Sequence, residues 1–430
     1  MIQYLNKIKG FFTKSDFTKN VLTLASGAAL SQFITIAAAP ITARLYEPAD
    51  YGVLGMYMSI TALVSVLCTL RYETAILLPD GDEKTIDLVY LCSLLITIFT
   101  VLTLIFSVFF RSILAAQFKL MDSANWLLLL PISVCCTCFA KVFTVYNNKK
   151  KRYKNITLSR TIPAFITVIL SLTLGYFFKG AMGLVVSLVV GHIAAAAIVV
   201  VPIYKNDRHI FKYPNQKRLK IIAQEYKDYP LFSLPADFIN NLINQIPLFF
   251  LSAHIGPQAV GYYNMSNRLL GLPTQFVAGA IGEVFRQTAA DDYSKKGNCR
   301  PIFLKTLRTL FFIGIVPYTI VGLFAPEIFA FALGEKWRIA GSYSQIMVFL
   351  LFTGFITSPL TYMYYVADKL REDFIFHIYI LASMFLVFYI SVQFTTNIYT
   401  ILTTYVINYV IIYLVYLVRS YQFSGGENSN

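Results

Sequence analysis

Long apolar windows recur along the whole chain. A helix needs about 20 apolar residues to cross a hydrocarbon core of roughly 30 Å, and twelve such windows can be placed. We predict membrane-spanning helices over residues 20–42, 52–78, 86–109, 125–146, 156–178, 181–204, 229–252, 262–288, 302–325, 340–366, 374–394 and 398–418. The pattern predicts an all-α polytopic membrane protein with about 12 transmembrane helices.

Composition supports this prediction. Hydrophobic residues make up 57% of the chain and charged residues only 13%, whereas soluble domains carry about 25% charged residues. The formal net charge of +14 comes mostly from connections on one side, such as "NNKKKRYK" (147–154) and "KNDRHIFKYPNQKRLK" (205–220). By the positive-inside rule, both termini are predicted to be cytoplasmic. This surplus suits anionic lipids, so nucleic acid is not an expected partner.

Short motifs repeat at an offset of 209 residues. Pro48 and Gly52 in the first outward loop match Pro257 and Gly261. The same offset pairs Ser31-Gln32 with Asn240-Asn241 and Asp82-Glu83 with Asp291-Asp292. A duplication of six helices keeps both copies in one orientation, so we predict two six-helix lobes related by a pseudo-twofold axis along the membrane normal, with a cavity between them.

The domain boundaries follow from these patterns. They are a cytoplasmic basic amphipathic leader (1–19), an N-terminal six-helix lobe (20–204), a cytoplasmic linker (205–228), a C-terminal six-helix lobe (229–419) and a cytoplasmic tail (420–430). Ile2, Leu5 and Ile8 recur at helical spacing in the leader, and Leu219 and Ile222 do so in the linker, which predicts surface helices. An unstructured leader and a flexible linker are the alternatives.

Ionisable side chains inside the spans are costly, at about 2.5–3.5 kcal/mol for a central Arg, Lys or Asp, and each therefore needs a reason. Among those within or beside the predicted spans are Arg44, Arg71, Glu73, Lys141, Arg160, Asp237, Arg268, Glu283 and Arg286. Six of these nine are cations. This excess argues against a site for cationic drugs.

Arg71 and Glu73 raise a separate question. On a helix running continuously through residues 52–78, positions i and i+2 point to nearly opposite sides, so the two charges should need separate partners. Arg71 would also lie near the inner boundary of the bilayer, where snorkelling to the headgroups is the alternative to facing a cavity.

The seventh predicted helix carries a polar stripe. It consists of Asp237, Asn240, Asn241, Asn244 and Gln245. Gln32 occupies the equivalent place in the first helix. Such a stripe faces protein or water, so it either lines a cavity or forms hydrogen bonds between helices. Cations with amides and aromatic rings suit a ligand containing both phosphate and sugar.

The chain shows no sign of catalysis. Outward loops are short, and no nucleophile-elbow, zinc-protease or nucleotide-binding pattern is present. Cys135, Cys136 and Cys138 lie in an apolar helix without neighbouring His or carboxylate, so we predict no metal, no cofactor and no catalytic residue. A transporter is favoured over a membrane-embedded glycan-assembly protein.

Four stretches carry a resemblance to a known family. They are "RLYEPADYGVLGMYMSI" (44–60), "RYETAILLPDGDEK" (71–84), "GPQAVGYYNMSNRLLGLP" (256–273) and "ALGEKWRIAGSYSQIM" (332–347). With them, the chain from Asp16 to Arg419 resembles the Wzx-like polysaccharide or O-antigen flippases of the multidrug/oligosaccharidyl-lipid/polysaccharide exporter superfamily. A drug antiporter of the same fold is the alternative.

The resemblance implies a bacterial inner-membrane protein that moves undecaprenyl-diphosphate-linked oligosaccharides, for lipopolysaccharide O-antigen or capsule, to the periplasmic leaflet by alternating access. It implies a cationic cavity for the diphosphate, assigned to Arg71, Lys141, Arg160 and Arg268. Asn240, Asn241, Asn244 and Gln32 are further substrate-binding candidates, and Glu73 and Asp237 are ion-coupling candidates. Membrane lipids, a polysaccharide polymerase and a chain-length regulator are expected partners.

Overall fold

Helices account for all regular structure in the described residues. The computed structural model describes residues 16–119, 121–178, 180–208, 210–211 and 214–426, and these ranges contain no strand. The predicted all-helical fold is therefore confirmed. Residues 1–15 of the predicted leader lie outside the described residues, and the first helix begins at Asp16.

The helices are α1 (Asp16–Leu45), α2 (Pro48–Cys68), α3 (Tyr72–Ala75), α4 (Asp82–Gln117), α5 (Leu130–Lys149), α6 (Tyr153–Phe177), α7 (Ala181–Asn206), α8 (Gln216–Glu225), α9 (Leu234–His254), α10 (Pro257–Leu270), α11 (Gly279–Lys296), α12 (Arg300–Leu333), α13 (Arg338–Leu360), α14 (Met363–Val366), α15 (Leu370–Phe394) and α16 (Ile398–Ser424). Wide π-helical turns at Tyr229–Ser233 and Thr274–Ala278 lead into α9 and α11. Tighter 3-10 segments cover Met121–Leu129 and Glu335–Trp337.

Ten helices in the described ranges are long and apolar enough to cross a membrane. They coincide with ten of the twelve predicted spans. The remaining two predictions, 229–252 and 262–288, fall on α9 and on α10 with α11. These segments are helical as well, but α10 has only 14 residues, and polar or charged side chains lower the mean hydropathy of α9 and α11. The chain is thus a multi-pass membrane protein.

The chain forms two compact units. Of the described residues, the first contains those within 16–46 and 57–238, and the second contains those within 47–56 and 239–426. In the first unit α6 packs between α1 and α7, and α5 packs against α7 and α4. In the second unit α13 packs against α12, α16 and α10, and α15 packs against α16.

The repeated Pro and Gly residues meet inside the second unit, where the start of α2 crosses the start of α10. A Cβ atom added to Gly52 would lie 1.7 Å from the carbonyl oxygen of Pro257, and one added to Gly261 would lie 1.8 Å from that of Pro48. The contact is reciprocal, as expected for two copies of one motif. Only glycine lets the two backbones approach so closely.

We expect Gly52→Ala and Gly261→Ala each to destabilise the protein, since the added methyl group must push two backbones apart. Overpacking of this kind costs about 1–3 kcal/mol, and more where backbone has to move. The midpoint of thermal unfolding of the purified protein in detergent should fall clearly for both variants. Gly81→Ala is the control, because nothing lies within 4 Å of its added Cβ. Wild-type midpoints for both crossing variants would contradict this description of the contact.

Candidate functional site

The helix that precedes Arg71 is broken. α2 ends at Cys68, and Leu70 and Arg71 then adopt left-handed backbone angles, with φ of 48° and 67°. The short helix α3 begins at Tyr72. Each left-handed residue other than glycine costs roughly 1–2 kcal/mol, so two in succession require compensation from their surroundings. The prediction of one continuous helix over residues 52–78 is wrong at this point.

The break brings Arg71 and Glu73 together. Arg71 Nη1 lies 3.3 Å from Glu73 Oε1, although the helical spacing predicted that the two side chains would point apart. That prediction is also wrong, and the reason is physical: the i,i+2 rule holds only within a regular helix. The two residues instead lie on either side of a turn.

Glu73 is more deeply buried than Arg71, Lys141 or Asp237. Its side chain has no exposed surface, and Lys141 Nζ on α5 lies 2.6 Å from its Oε1. The hydroxyl of Thr69 donates to Oε2 at 2.5 Å. Together with Arg71, three donors surround the carboxylate. This satisfies the requirement that a buried charge be both paired and hydrogen-bonded.

Arg71 has a second acidic partner on α9. Its Nη1 lies 2.8 Å from Asp237 Oδ2, and its Nε contacts Ser233 Oγ at 3.5 Å. The π-helical turn just before α9 places Ser233 beside this pair. We name Thr69, Arg71, Glu73, Lys141, Ser233 and Asp237 the charge cluster. All of it lies in the first unit, and its two cations are matched by two carboxylates.

Lys149, in the basic stretch 147–154, forms hydrogen bonds to the residues that follow α3. Lys149 Nζ donates to the carbonyl oxygens of Ile76 and Pro79, at 2.9 and 2.5 Å, and to Thr85 Oγ1 at 2.7 Å. The charge cluster therefore lies toward the end of the unit that carries the Lys-rich loop. Nothing in "NNKKKRYK" distinguishes Lys149 from its neighbouring lysines, so the sequence alone does not predict this role.

The linker helix α8 supports the same region from outside. The hydroxyl of Tyr72 donates to the carbonyl oxygen of Ala223 at 3.0 Å, and Ile222 is buried. Arg218 pairs with Asp87 at 2.8 Å, and Lys84 pairs with Glu225 at 2.6 Å. Thus the linker forms the predicted amphipathic helix, and its apolar face packs against the first unit.

At the same end of the unit, an ion pair joins the residue before α6 to the residue after α7. Arg152 donates two hydrogen bonds to Asp207, at 2.6 and 2.7 Å, and the Tyr146 hydroxyl reaches the same carboxylate at 3.3 Å. The neighbouring guanidinium lowers the pKa of Asp207. Lys149 and Arg152 of the basic stretch 147–154 thus form hydrogen bonds and an ion pair within the first unit.

The other predicted substrate-binding residues lie outside the charge cluster. Arg160 on α6 is exposed and Gln32 on α1 is half-buried, and neither forms an ion pair or side-chain hydrogen bond with the described residues of its unit. Arg268 on α10 is half-buried, with no carboxylate in ion-pairing distance in the described part of the second unit. On α9, Asn240 and Asn244 are exposed and Asn241 is half-buried; Asn244 donates to the Asn240 carbonyl at 2.8 Å.

Comparisons with known proteins agree on the kind of protein. A family model described as "Polysaccharide biosynthesis protein" matches residues 41–342. The structure of the lipid II flippase MurJ in an inward closed conformation is similar, with a TM-score of 0.73 and 15% identity over 93% of this chain and 89% of that chain. An inward-facing multidrug resistance MATE family transporter of the MOP superfamily gives 0.70 and 15%, over 92% and 97%. No curated protein matches the chain.

The identities of 15% show the fold alone, and the fold is that of the exporter superfamily that the four sequence stretches resemble. The resemblance is therefore confirmed at the level of family and fold. The residues of the charge cluster are an observation about this chain, and their function is a separate question.

We expect Glu73→Gln to lower stability by about 3 kcal/mol, because Lys141 and Arg71 would then lose a partner that is fully buried. Glu283→Gln is the matched control, since Glu283 is 75% exposed and pairs with Arg286 at the surface, where such pairs contribute less than about 1 kcal/mol. Chemical or thermal unfolding in detergent measures both. Equal losses of stability in the two variants would show that the burial of Glu73 does not increase its contribution to the free energy of unfolding.

Proposed function

Because this chain belongs to the polysaccharide biosynthesis protein family, we propose that it is a flippase for undecaprenyl-diphosphate-linked oligosaccharide repeat units. In this proposal it lies in a bacterial inner membrane with both termini in the cytoplasm. It carries the units of an O-antigen, capsule or related polysaccharide from the cytoplasmic to the periplasmic leaflet by alternating access. A polysaccharide polymerase and a chain-length regulator act next on the product.

The observation that carries this proposal is the charge cluster. Arg71 and Lys141 keep 20% and 38% of their side chains exposed, so each cation is accessible while a carboxylate holds it in place. Phosphate oxygens are acceptors of the same kind as carboxylate oxygens, and guanidinium groups bind them in bidentate fashion. We assign the diphosphate to these two side chains.

The two carboxylates differ in what they can do. Glu73 has no exposed surface, whereas Asp237 is 35% exposed. An arriving diphosphate can therefore replace Asp237 at Arg71, while Glu73 stays with Lys141 and holds the site together. Once displaced from Arg71, Asp237 can take up a proton or a sodium ion. This exchange would couple substrate binding to a cation gradient, with Asp237 as the coupling group and Glu73 as a fixed partner.

The remaining candidates are proposed as substrate contacts from the chemistry of their side chains, each within its own unit. Arg268 is half-buried and lacks a carboxylate partner in the described part of its unit, which suits a second contact to phosphate. The exposed amides of Asn240 and Asn244, with Asn241 and Gln32, suit sugar hydroxyl groups, since amides donate and accept hydrogen bonds at once. Arg160 is exposed and is proposed as an additional phosphate contact.

A small-molecule antiporter of the same fold is the second candidate, favoured by the likeness to the multidrug resistance transporter. Cationic drugs would need surplus carboxylates. The charge cluster has none, since its two carboxylates are matched by Arg71 and Lys141. Outside the cluster, Arg160 and Arg268 each lack a carboxylate partner in the described part of their own unit, and this excess of cations suits a lipid-linked anion better.

We expect Lys141→Ala and Arg268→Ala to leave lipid-linked repeat units on the cytoplasmic side and to reduce surface polysaccharide roughly tenfold or more. A hydrogen bond to a charged group contributes about 1.5–3 kcal/mol. Extraction of lipid-linked intermediates and surface polysaccharide staining measure this, with protein level checked by immunoblot. Arg286→Ala, which alters an exposed surface pair, is the control. Unchanged surface polysaccharide in both test variants would overturn the cationic assignment.

The exchange at Arg71 makes an opposite prediction for its carboxylate partner. We expect Asp237→Asn to bind soluble farnesyl diphosphate roughly tenfold more tightly than the wild type, because the Asp237 carboxylate no longer competes with the diphosphate for Arg71. A tenfold change in affinity corresponds to about 1.4 kcal/mol of binding free energy. Arg71→Ala should bind it more weakly. Calorimetric titration of the detergent-solubilised protein measures both. Weaker binding by Asp237→Asn would contradict the exchange.

A further inference from the structure

One face of helix α12 is exposed, and the other packs against the rest of the second unit. It packs against α13, and large apolar side chains at helical spacing remain exposed on the opposite face, among them Phe312, Val316 and Leu323. The helix has 34 residues, or about 51 Å at 1.5 Å per residue, which exceeds a hydrocarbon core of roughly 30 Å. Its exposed apolar stripe is the part that faces lipid tails.

Two cations lie on this stripe just before it becomes apolar. A groove of about 420 Å³ is lined by Pro301, Leu304, Lys305, Arg308, Thr309 and Phe312. The continuous apolar run begins at Leu310. Lys305 and Arg308 therefore lie less than two helical turns from the hydrocarbon boundary, at the depth where phospholipid phosphates are found.

The two cations of the groove are not matched by acidic groups. Both Lys305 and Arg308 are exposed, and in the described part of the second unit neither has a carboxylate within ion-pairing distance. Arg286 and Lys296, on the neighbouring helix α11, pair with Glu283 and Asp292 at 3.2 and 2.7 Å. The groove thus keeps two positive charges beside an apolar surface.

This arrangement is not a general requirement of the duplicated fold. Helices α4 and α12 begin at Asp82 and Arg300, and the residues of α4 at the places of Lys305 and Arg308, counted from these starts, are Asp87 and Tyr90. Helix α4 carries no Lys or Arg between Lys84 and Arg111. A spanning helix in this fold therefore needs no cation at this depth, and the pair belongs to the second half alone.

We infer that this groove binds an anionic phospholipid of the adjacent leaflet. Lys305 and Arg308 hold its phosphate, and its acyl chains lie along Phe312 and Val316. Lys and Arg side chains close to an anionic membrane surface each contribute about 1 kcal/mol of attraction to it. The hydroxyl of Thr309 donates to the Lys305 carbonyl at 2.9 Å, which leaves its lone pairs for a headgroup hydroxyl such as that of phosphatidylglycerol. The inference does not depend on which substrate the protein moves.

The test is native mass spectrometry of the full-length protein in detergent, titrated with phosphatidylglycerol or with phosphatidylethanolamine of the same chain length. Wild-type protein should retain phosphatidylglycerol at a roughly tenfold lower lipid concentration. The double variant Lys305→Gln/Arg308→Gln should lose this preference. Lys295→Gln/Lys296→Gln removes the same charge outside the groove and should keep it.

Other outcomes would overturn the inference. Equal phosphatidylglycerol binding by wild type and Lys305→Gln/Arg308→Gln would show that the groove does not hold the lipid. Displacement of the bound lipid by millimolar inorganic phosphate would show a site for free phosphate, and displacement by farnesyl diphosphate would show a site for the polyprenyl substrate. Both test side chains are exposed, so size-exclusion profiles should match the wild type and separate loss of binding from loss of fold.

Discussion

A fully buried carboxylate, Glu73, determines the local structure on which the proposed site depends. Leaving it unpaired would cost several kcal/mol, whereas the two left-handed residues before it cost roughly 1–2 kcal/mol each. Because the unpaired charge would be the more costly of the two, the chain breaks α2. The turn then brings Arg71 to the carboxylate, while Thr69 donates to it from just beyond the end of α2 and Lys141 reaches it from α5. Arg71, held there, can then meet Asp237.

The second half of the duplication has a similar backbone arrangement but lacks charged counterparts of Glu73 and Lys141. At the 209-residue offset, Gly282 stands for Glu73 and Leu350 for Lys141. Gly282 packs against the ring of Pro359 and Leu350 is buried, so the equivalent place is filled by apolar contact. Symmetry therefore governs the backbone crossing of Gly52 and Gly261, whereas Glu73 and Lys141 have no charged counterpart in the second half. One fold thus combines a repeated scaffold with a single charged site.

The spans were predictable because lipid imposes one strong rule: every crossing needs a long apolar helix. The repeat and the set of intramembrane charges were equally visible in the sequence. The break at Leu70 and Arg71 was not, since "TLRYE" contains no Gly or Pro to mark it. Pairings such as Arg71 with Asp237 join residues far apart in sequence, and periodicity along one helix carries no information about them. Their geometry needed the tertiary structure.

We propose that this chain moves a polyprenyl-diphosphate-linked oligosaccharide between leaflets. Reconstitution of the purified protein in vesicles measures this transfer, with a fluorescent lipid-linked oligosaccharide in the inner leaflet and a membrane-impermeant quencher outside. We expect quenching that requires the protein, that increases with a cation gradient and that is lost in Arg71→Ala. Quenching no faster than in protein-free vesicles, with efflux of a cationic dye from the same preparation, would contradict it.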